Sequence, residues 1–135
     1  MLSRLMEQEN KPIKQVVAET AMKRGAPLEG GAYFVDVQKN YDGINAVIEP
    51  MEKDFEDIAE GQMYNRIPTV LGERYATTEL TKGSLVVGKP LKVEGNKFVA
   101  ATASDPYEWI YDGEYANPYG LTMYIVEKVP AGTAE

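Results

Sequence analysis

Carboxylates are the side chains most able to do chemistry in this sequence, since it contains 21 Asp and Glu residues but no histidine and no cysteine. The chain therefore has no thiol nucleophile, no imidazole general base and no metal bound through cysteine or histidine. Two groups of carboxylates stand close together in the sequence. The first lies within residues 49–61, and the second comprises Asp105, Glu108, Asp112 and Glu114.

Neither group has the spacing of a recognisable site. Carboxylate oxygens bind calcium, but residues 49–61 lack the D-x-[DN]-x-[DN]-G order, and a helix would spread their carboxylates around its surface. Two carboxylates can hydrolyse a glycosidic bond, yet so acidic a chain offers many pairs and no specific one. The phosphate-binding patterns G-x-x-x-x-G-K-[ST] and G-x-G-x-x-G are absent. We therefore predict no enzyme activity, no catalytic, metal-binding or cofactor-binding residues, and no cofactor.

The most unusual local feature is a cluster of aromatic residues between positions 107 and 124. Tyrosine and tryptophan combine an apolar body with a polar tip, so they suit partly buried surfaces. Three interpretations remain open: packing in the core and at strand edges, a protein–protein interface, or a platform for sugar rings. The candidate partner-binding residues are Tyr107, Trp109, Tyr111, Tyr115 and Tyr119.

The elements that must position these residues are mostly short β-strands between glycine and proline turns. Strands are predicted at residues 32–37, 44–48, 85–87, 90–94, 97–102 and 119–129. The first two are expected to form a hairpin around residues 40–43, which end in Asp-Gly. A second hairpin is predicted where Gly95 and Asn96 separate two strands as a two-residue turn.

One segment, residues 49–61, changes to a helical pattern. Met51, Phe55 and Ile58 recur with the spacing of a single helix face. Pro50 suits the first turn of a helix, and Gly61 suits the position that follows the last turn. We predict a short acidic helix over about residues 50–60.

Length and pattern together predict one mainly β domain. The chain has 135 residues, the size of a single domain. The expected fold is a small β-barrel or β-sandwich of about six to eight short strands with one acidic helix. Residues 1–12 are expected to be an N-terminal arm that is either disordered or ordered on a partner. Residues 13–130 form the domain, and residues 131–135 form a small polar tail.

Charge narrows the range of partners. The formal net charge is −7, and a negative surface repels both phosphate backbones and anionic membranes. We therefore expect no direct binding to nucleic acid or to a membrane. The sequence has no apolar run like a signal-peptide core and none of the roughly 20 residues that a membrane-spanning helix needs. The expectation is a soluble protein that folds in a cytoplasm.

A short pattern occurs twice in the chain. The order G-x-P-L, E-G, F-V is present at residues 25–35 and again at residues 88–99. Each copy predicts a strand, a glycine turn and a returning strand. Chance similarity in a glycine-rich β protein and a pair of related hairpins are both open interpretations.

The second copy lies in a longer segment, residues 80–102, with the sequence LTKGSLVVGKPLKVEGNKFVAAT. This segment resembles the small auxiliary head proteins of tailed bacteriophages, the capsid decoration or cement proteins. Their recurring pattern is K-G-x-L-V, a P-L-x-V strand, a glycine turn and a strand that runs into A-x-A-T-A. Residues 23–30 resemble the entry to this pattern, and residues 117–126 resemble the closing strand of such domains. The acidic insertion at residues 49–66 departs from the pattern.

The resemblance implies a non-enzymatic virion protein that binds and stabilises the assembled capsid. Its implied partner is the major capsid protein, with a homotrimer or another homo-oligomer on the capsid. Its implied location is the capsid surface of the virion, after synthesis in the cytoplasm of the host bacterium. Other virion parts, such as a tail or head-completion subunit, remain alternatives. A further alternative is a carbohydrate- or host-surface-binding β module that uses Tyr107, Trp109, Tyr111 and Tyr115.

Overall fold

A computed structural model describes residues 14–35, 40–41, 44–45, 57–116 and 122–135 of the chain. Within these residues the strands are β1 (Lys14–Val17), β2 (Tyr33–Val35), β3 (Asn40–Tyr41), β4 (Ile44–Asn45), β5 (Met63–Pro68), β6 (Arg74–Thr77), β7 (Pro90–Glu94), β8 (Lys97–Ala100), β9 (Pro106–Ala116) and β10 (Thr122–Thr133). A short 3-10 helix spans Glu29–Gly31. The predicted N-terminal arm, residues 1–12, lies outside the described residues, as does most of the predicted acidic helix.

The strands form two sheets. The first has three strands in the order β1-β5-β2, and the second has seven in the order β3-β4-β6-β10-β9-β7-β8. Neighbouring strands are antiparallel except β4 and β6, which are parallel. The prediction of a mainly β fold is therefore confirmed.

Residues 79–81 bring the second sheet close to closing on itself. They follow β6, which pairs with β10, but they contact β8 at the far edge of the same sheet. The N–H of Thr81 donates to the carbonyl oxygen of Phe98 at 2.9 Å, and the N–H of Phe98 donates to that of Glu79 at 3.0 Å. This contact is a single bridge at Leu80 and not a continuous ladder. Among the described residues the sheet is thus barrel-like without being a closed barrel.

Aromatic side chains from both sheets fill the space between them. Phe34 of β2 meets Tyr75 of β6, Phe98 of β8 and Trp109 of β9, and each of the four is at most 3% exposed. The Trp109 ring centroid lies 5.6 Å from that of Phe34, 5.7 Å from that of Tyr75 and 5.1 Å from that of Phe98, all edge to face. Such pairs add about 0.5–1.5 kcal/mol each beyond the burial of their surface. This aromatic core holds the two sheets together.

The two copies of the repeated sequence pattern meet in this core. In the first copy Pro27 forms an antiparallel bridge with Phe34, and in the second β7 pairs with β8. The ring centroids of Phe34 and Phe98, the equivalent phenylalanines, are 6.0 Å apart. The Asn96 side-chain amide also donates to the carbonyl oxygen of Pro27 at 3.2 Å. Both copies are therefore turns with a returning strand, and they contact each other directly.

The hairpin predicted at residues 90–102 is confirmed. Gly95 and Asn96 both have φ of 60°, and β7 pairs with β8 from Leu91 opposite Ala100 to Glu94 opposite Lys97. Positive φ at both central residues defines the turn whose twist matches antiparallel strands, and glycine and asparagine adopt it most readily.

In the hairpin predicted between residues 32–37 and 44–48, the first strand is wrong: residues 44–45 pair antiparallel with β3, just before the predicted Asp-Gly, and not with residues 32–37. Strand β2 pairs instead with β5, with Phe34 opposite Ile67, while β4 pairs with β3 and β6. Phe34 and Val35 are fully buried. Their burial requires a partner strand that itself contributes to the core, and β5 supplies the buried Ile67 and Pro68.

The described end of the predicted helix is also not helical. Ile58 forms an antiparallel bridge with Met22 through hydrogen bonds of 2.9 and 2.7 Å between their backbones. Its side chain is fully buried together with Ala18, Ala26 and Val35. The helix prediction is therefore wrong for residues 57–60. Ile58 becomes buried because its extended backbone pairs with Met22, and not because it lies on the apolar face of a helix.

The predicted polar tail, residues 131–135, belongs to the domain. Strand β10 continues to Thr133, and Ala134 is buried. The N–H of Ala134 donates to the carbonyl oxygen of Asp105 at 2.8 Å, and the N–H of Ser104 donates to that of Ala134 at 2.9 Å. These backbone hydrogen bonds fix the segment against the start of β9.

Candidate functional site

Two of the five candidate partner-binding residues are core residues. Trp109 and Tyr111 are each 2% exposed, and Trp109 is the centre of the aromatic core. Burial raises the pKa of the Tyr111 hydroxyl above its usual value, with smaller contributions from Glu114 and Tyr124. The prediction of a partner-binding surface is wrong for these two side chains, because the interpretation as core packing applies to them.

Of the other three candidates, the two described ones, Tyr107 and Tyr115, stand eight positions apart on β9 and contact different parts of the domain. The ring of Tyr107 lies against Gly132, where a Cβ would come within 2.8 Å of its hydroxyl oxygen. Tyr115 is partly buried and packs against the cluster of Ile44, Ala76, Met123 and Ile125. Tyr119 lies outside the described residues. The burial of Trp109 and Tyr111 also leaves the predicted sugar platform without two of its four rings.

The second carboxylate group does not converge on a common point. Asp112 pairs with Arg74 at 2.8 Å, and Glu108 lies 3.6 Å from the Lys128 ammonium. Among the residues that the structure describes, no three carboxylates are grouped so that they could hold a metal ion.

Asp105 has a structural role. Its carboxylate accepts hydrogen bonds from the Thr102 N–H at 2.9 Å and the Thr102 hydroxyl at 3.1 Å, and it lies 3.1 Å from the Lys92 ammonium. The hydrogen bond from the Thr102 backbone, followed by that from Lys92, holds the pKa of Asp105 below its usual value. The carboxylate thereby closes the turn before β9.

Exposed apolar side chains mark two surfaces that the sequence did not single out. The first is a turn between β6 and β7 that carries Val86 and Val87, which are 56% and 64% exposed. The Lys89 N–H donates to the Val86 carbonyl oxygen at 3.2 Å, and Gly88 has φ of 95°. This is the geometry of a type II turn, in which glycine takes the third position. Residues 85–87 are therefore not the strand that their apolar run predicted.

This valine turn is held firmly on the domain. Leu85, directly before it, is buried in the aromatic core. The Gly88 N–H donates to the Tyr111 carbonyl oxygen at 2.7 Å, and the Tyr111 N–H donates to that of Lys89 at 2.9 Å. Two apolar side chains are thus presented to solvent on a backbone that is fixed at both sides.

The second surface is the outer edge of the three-stranded sheet. Val17 of β1 stands opposite Met63 of β5, and the two are 56% and 50% exposed. Strand β1 is the outermost strand of this sheet in the part of the chain that is described. Beside it lies an open groove of about 790 Å³, lined in part by Val16, Tyr64 and Val93.

No family model, curated protein or solved structure matches the chain. A helix long and apolar enough to cross a membrane is not found among the described residues.

Proposed function

We propose that this chain is a non-enzymatic structural protein of a phage virion that binds the assembled capsid and stabilises it, as decoration proteins do. The observation that supports the proposal is the valine turn. Val86 and Val87 are adjacent, exposed and apolar on a fixed backbone, and burial of exposed apolar surface favours a protein–protein contact. The turn also lies inside residues 80–102, the segment that resembles decoration proteins.

The energetics of the turn suit recognition of a partner. Burial of a valine side chain contributes about 1.5–3 kcal/mol relative to its exposure. Because Leu85 and the backbone of Gly88 are already fixed by the domain, little conformational entropy is lost when the turn is bound. The two valines together thus supply a substantial part of the free energy of a capsid contact.

The charge of the chain is compatible with a position on the outside of a particle. The net charge of −7 keeps a particle that is covered with many copies of the protein soluble. The partner in this proposal is the major capsid protein, and the location is the capsid surface.

Sedimentation with capsids that lack this protein tests the proposal. The wild-type chain is expected to pellet with the capsids, and Val87→Asp is expected to weaken that binding by at least about tenfold because a carboxylate replaces an anchoring side chain. The chain offers a matched control. Leu71 is 63% exposed and precedes Gly72, with φ of 86°, in a turn closed by the Glu73 N–H and the Val70 carbonyl oxygen at 3.1 Å.

Leu71→Asp should therefore place the same charge in the same kind of turn and leave capsid binding unchanged. Wild-type protein that stays in the supernatant would overturn the proposed function. Equal binding by wild-type and Val87→Asp protein would exclude the valine turn as the contact.

A further inference from the structure

The backbone of β1 has hydrogen-bonding groups that face away from its sheet. The Ala18 N–H donates to the Gln62 carbonyl oxygen at 2.9 Å, and the Gly61 N–H donates to the Ala18 carbonyl oxygen at 2.9 Å. The backbone groups of Ala18 therefore face β5. Because these directions alternate along an antiparallel strand, Val16 also faces β5, while Gln15 and Val17 face outward. Among the described residues no strand pairs with this side of β1, so the N–H and C=O groups of Gln15 and Val17 form an open edge there.

This edge is complementary to itself. If two β1 strands run antiparallel with Val16 opposite Val16, then Gln15 of each copy stands opposite Val17 of the other. Gln15 and Val17 are the residues whose backbone groups point outward, so each such pair can exchange hydrogen bonds in both directions. We propose that β1 pairs in this way with β1 of a second copy of the chain, about a twofold axis at Val16.

The side chains on the edge agree with this register. Val17 and Met63, which are 56% and 50% exposed, lie on the same face as Gln15, because residues two apart on a strand share a face. Antiparallel pairing brings Gln15 of the second copy beside Val17 and covers part of this apolar pair.

The resulting sheet has the order β2-β5-β1-β1-β5-β2. A strand of four residues buries much less than the roughly 1,200–2,000 Å² of a stable interface. The contact is therefore weak between free molecules and becomes effective where copies are held close together. If the chain coats a capsid, as we propose above, neighbouring copies would be linked through β1.

Cysteine cross-linking tests this register directly, because the chain contains no cysteine of its own. Residues opposite each other in a pair of this kind have Cα atoms about 4.5–5.5 Å apart, which is within the range that a disulfide spans. Val16→Cys is expected to form a disulfide-linked dimer under mild oxidation at high protein concentration. Non-reducing electrophoresis and mass spectrometry would measure the linked fraction.

Two exposed positions provide the decisive control. Gln15→Cys mixed with Val17→Cys should give a mixed dimer, whereas either variant alone should link several-fold less, because like positions are beyond about 7 Å apart. This pair keeps the test valid if Val16→Cys, at a partly buried position, fails to fold. Equal linking by all variants, or stronger linking of each variant with itself, would overturn the proposal.

The absence of the mixed dimer from folded protein would also overturn it. Failure of this pairing is distinguishable from failure of the proposed function, because the cross-linking contains no capsid. Val87→Asp should not change the cross-linking yield.

Discussion

The indole Nε1 of Trp109 lies against Gly31, so closely that a Cβ on residue 31 would overlap it. This nitrogen is buried and has no hydrogen-bond partner within the described residues. Gly31 also has φ of +71°, which side-chain-bearing residues rarely adopt. The neighbouring Gly30 has a similar φ of +75°, but no atom would lie within 4 Å of its Cβ.

Gly31→Ala is therefore expected to destabilise the fold much more than Gly30→Ala. Both changes strain the backbone by about 1–3 kcal/mol, but only the first forces Trp109 out of its position in the core, which adds a similar amount. Chemical denaturation of the two variants would measure the difference in the free energy of unfolding. Equal losses would show that the contact between Gly31 and the indole is not restrictive.

Replacement of Trp109 tests the conclusion that this ring is core and not a binding surface. Trp109→Ala should lower the free energy of unfolding by about 3–5 kcal/mol, because it removes the ring that contacts Phe34, Tyr75 and Phe98. Thermal unfolding would measure this loss. Tyr107→Ala removes a half-buried ring and is expected to have a smaller effect. The reverse order of the two effects would contradict the assignment.

Thr77 should be sensitive to loss of its hydroxyl. The side chain is fully buried, and its Oγ1 donates to the Gly25 carbonyl oxygen at 2.8 Å and accepts the Glu79 N–H at 3.0 Å. Thr77→Val keeps the shape but leaves two buried polar groups unpaired, at about 1–3 kcal/mol each. Equilibrium unfolding in urea is the measurement, and Thr122→Val, at an exposed strand position, is the control that should be nearly neutral.

The stability of the turn before β9 should depend on pH through Asp105. The pKa of this carboxyl is lower in the folded chain than its ordinary value, chiefly because of the hydrogen bond from the Thr102 backbone. A lowered folded-state pKa contributes stability that is present above the unfolded pKa of about 3.9 and is lost as pH falls through the folded pKa.

Asp105→Asn should therefore destabilise the protein at neutral pH, and the difference from wild type should shrink below about pH 4. Urea unfolding at a series of pH values would show it. Glu94→Gln is the control for loss of a carboxylate beside Lys92. The Glu94 carboxylate lies 3.4 Å from the same ammonium, but its side chain is more exposed than that of Asp105. A difference for Asp105→Asn that does not change with pH would refute the role of its charge.

Local signals in the sequence were sufficient to predict the hairpin at residues 90–100. Gly95 and Asn96 carry the turn conformation themselves, and their strands are adjacent in the chain. The pairing of β2 was not predictable in this way, because Phe34 lies opposite Ile67, and the rule that neighbouring strands form hairpins favours the nearer residues 44–48. Sequence identifies a strand more readily than it identifies a distant partner.

The aromatic residues show a similar limit. Tyr107, Trp109 and Tyr111 alternate with other residues and so share one face of β9, a pattern that fits a buried face as well as an exposed one. Which face is buried depends on Phe34 and Phe98, which come from distant strands. Glu108 and Asp112 carried a stronger signal for which face of β9 is buried, because their charges occupy the face opposite the aromatic residues.

The exposed surfaces could not be predicted either, because their residues have the sequence pattern of buried ones. Val86 and Val87 follow Leu85 as an apolar run, and such a run predicts a buried strand. The positive φ of Gly88 instead makes a turn and leaves both valines in solvent. Exposure at Val17 similarly follows from the position of β1 at the outside of a sheet, which depends on its pairing with β5.

Strand β10 lies between β6 and β9 in the second sheet, although it is the last of the described strands to be synthesised. A ribosome must therefore release residues as far as Glu127, which pairs with both strands, before β6 and β9 can be joined. Until then the nascent chain exposes the unpaired sides of both strands, which are prone to aggregate. We expect the second sheet to be completed only after β10 has emerged from the ribosome, and chains that stop before β10 to be substrates for chaperones and proteases.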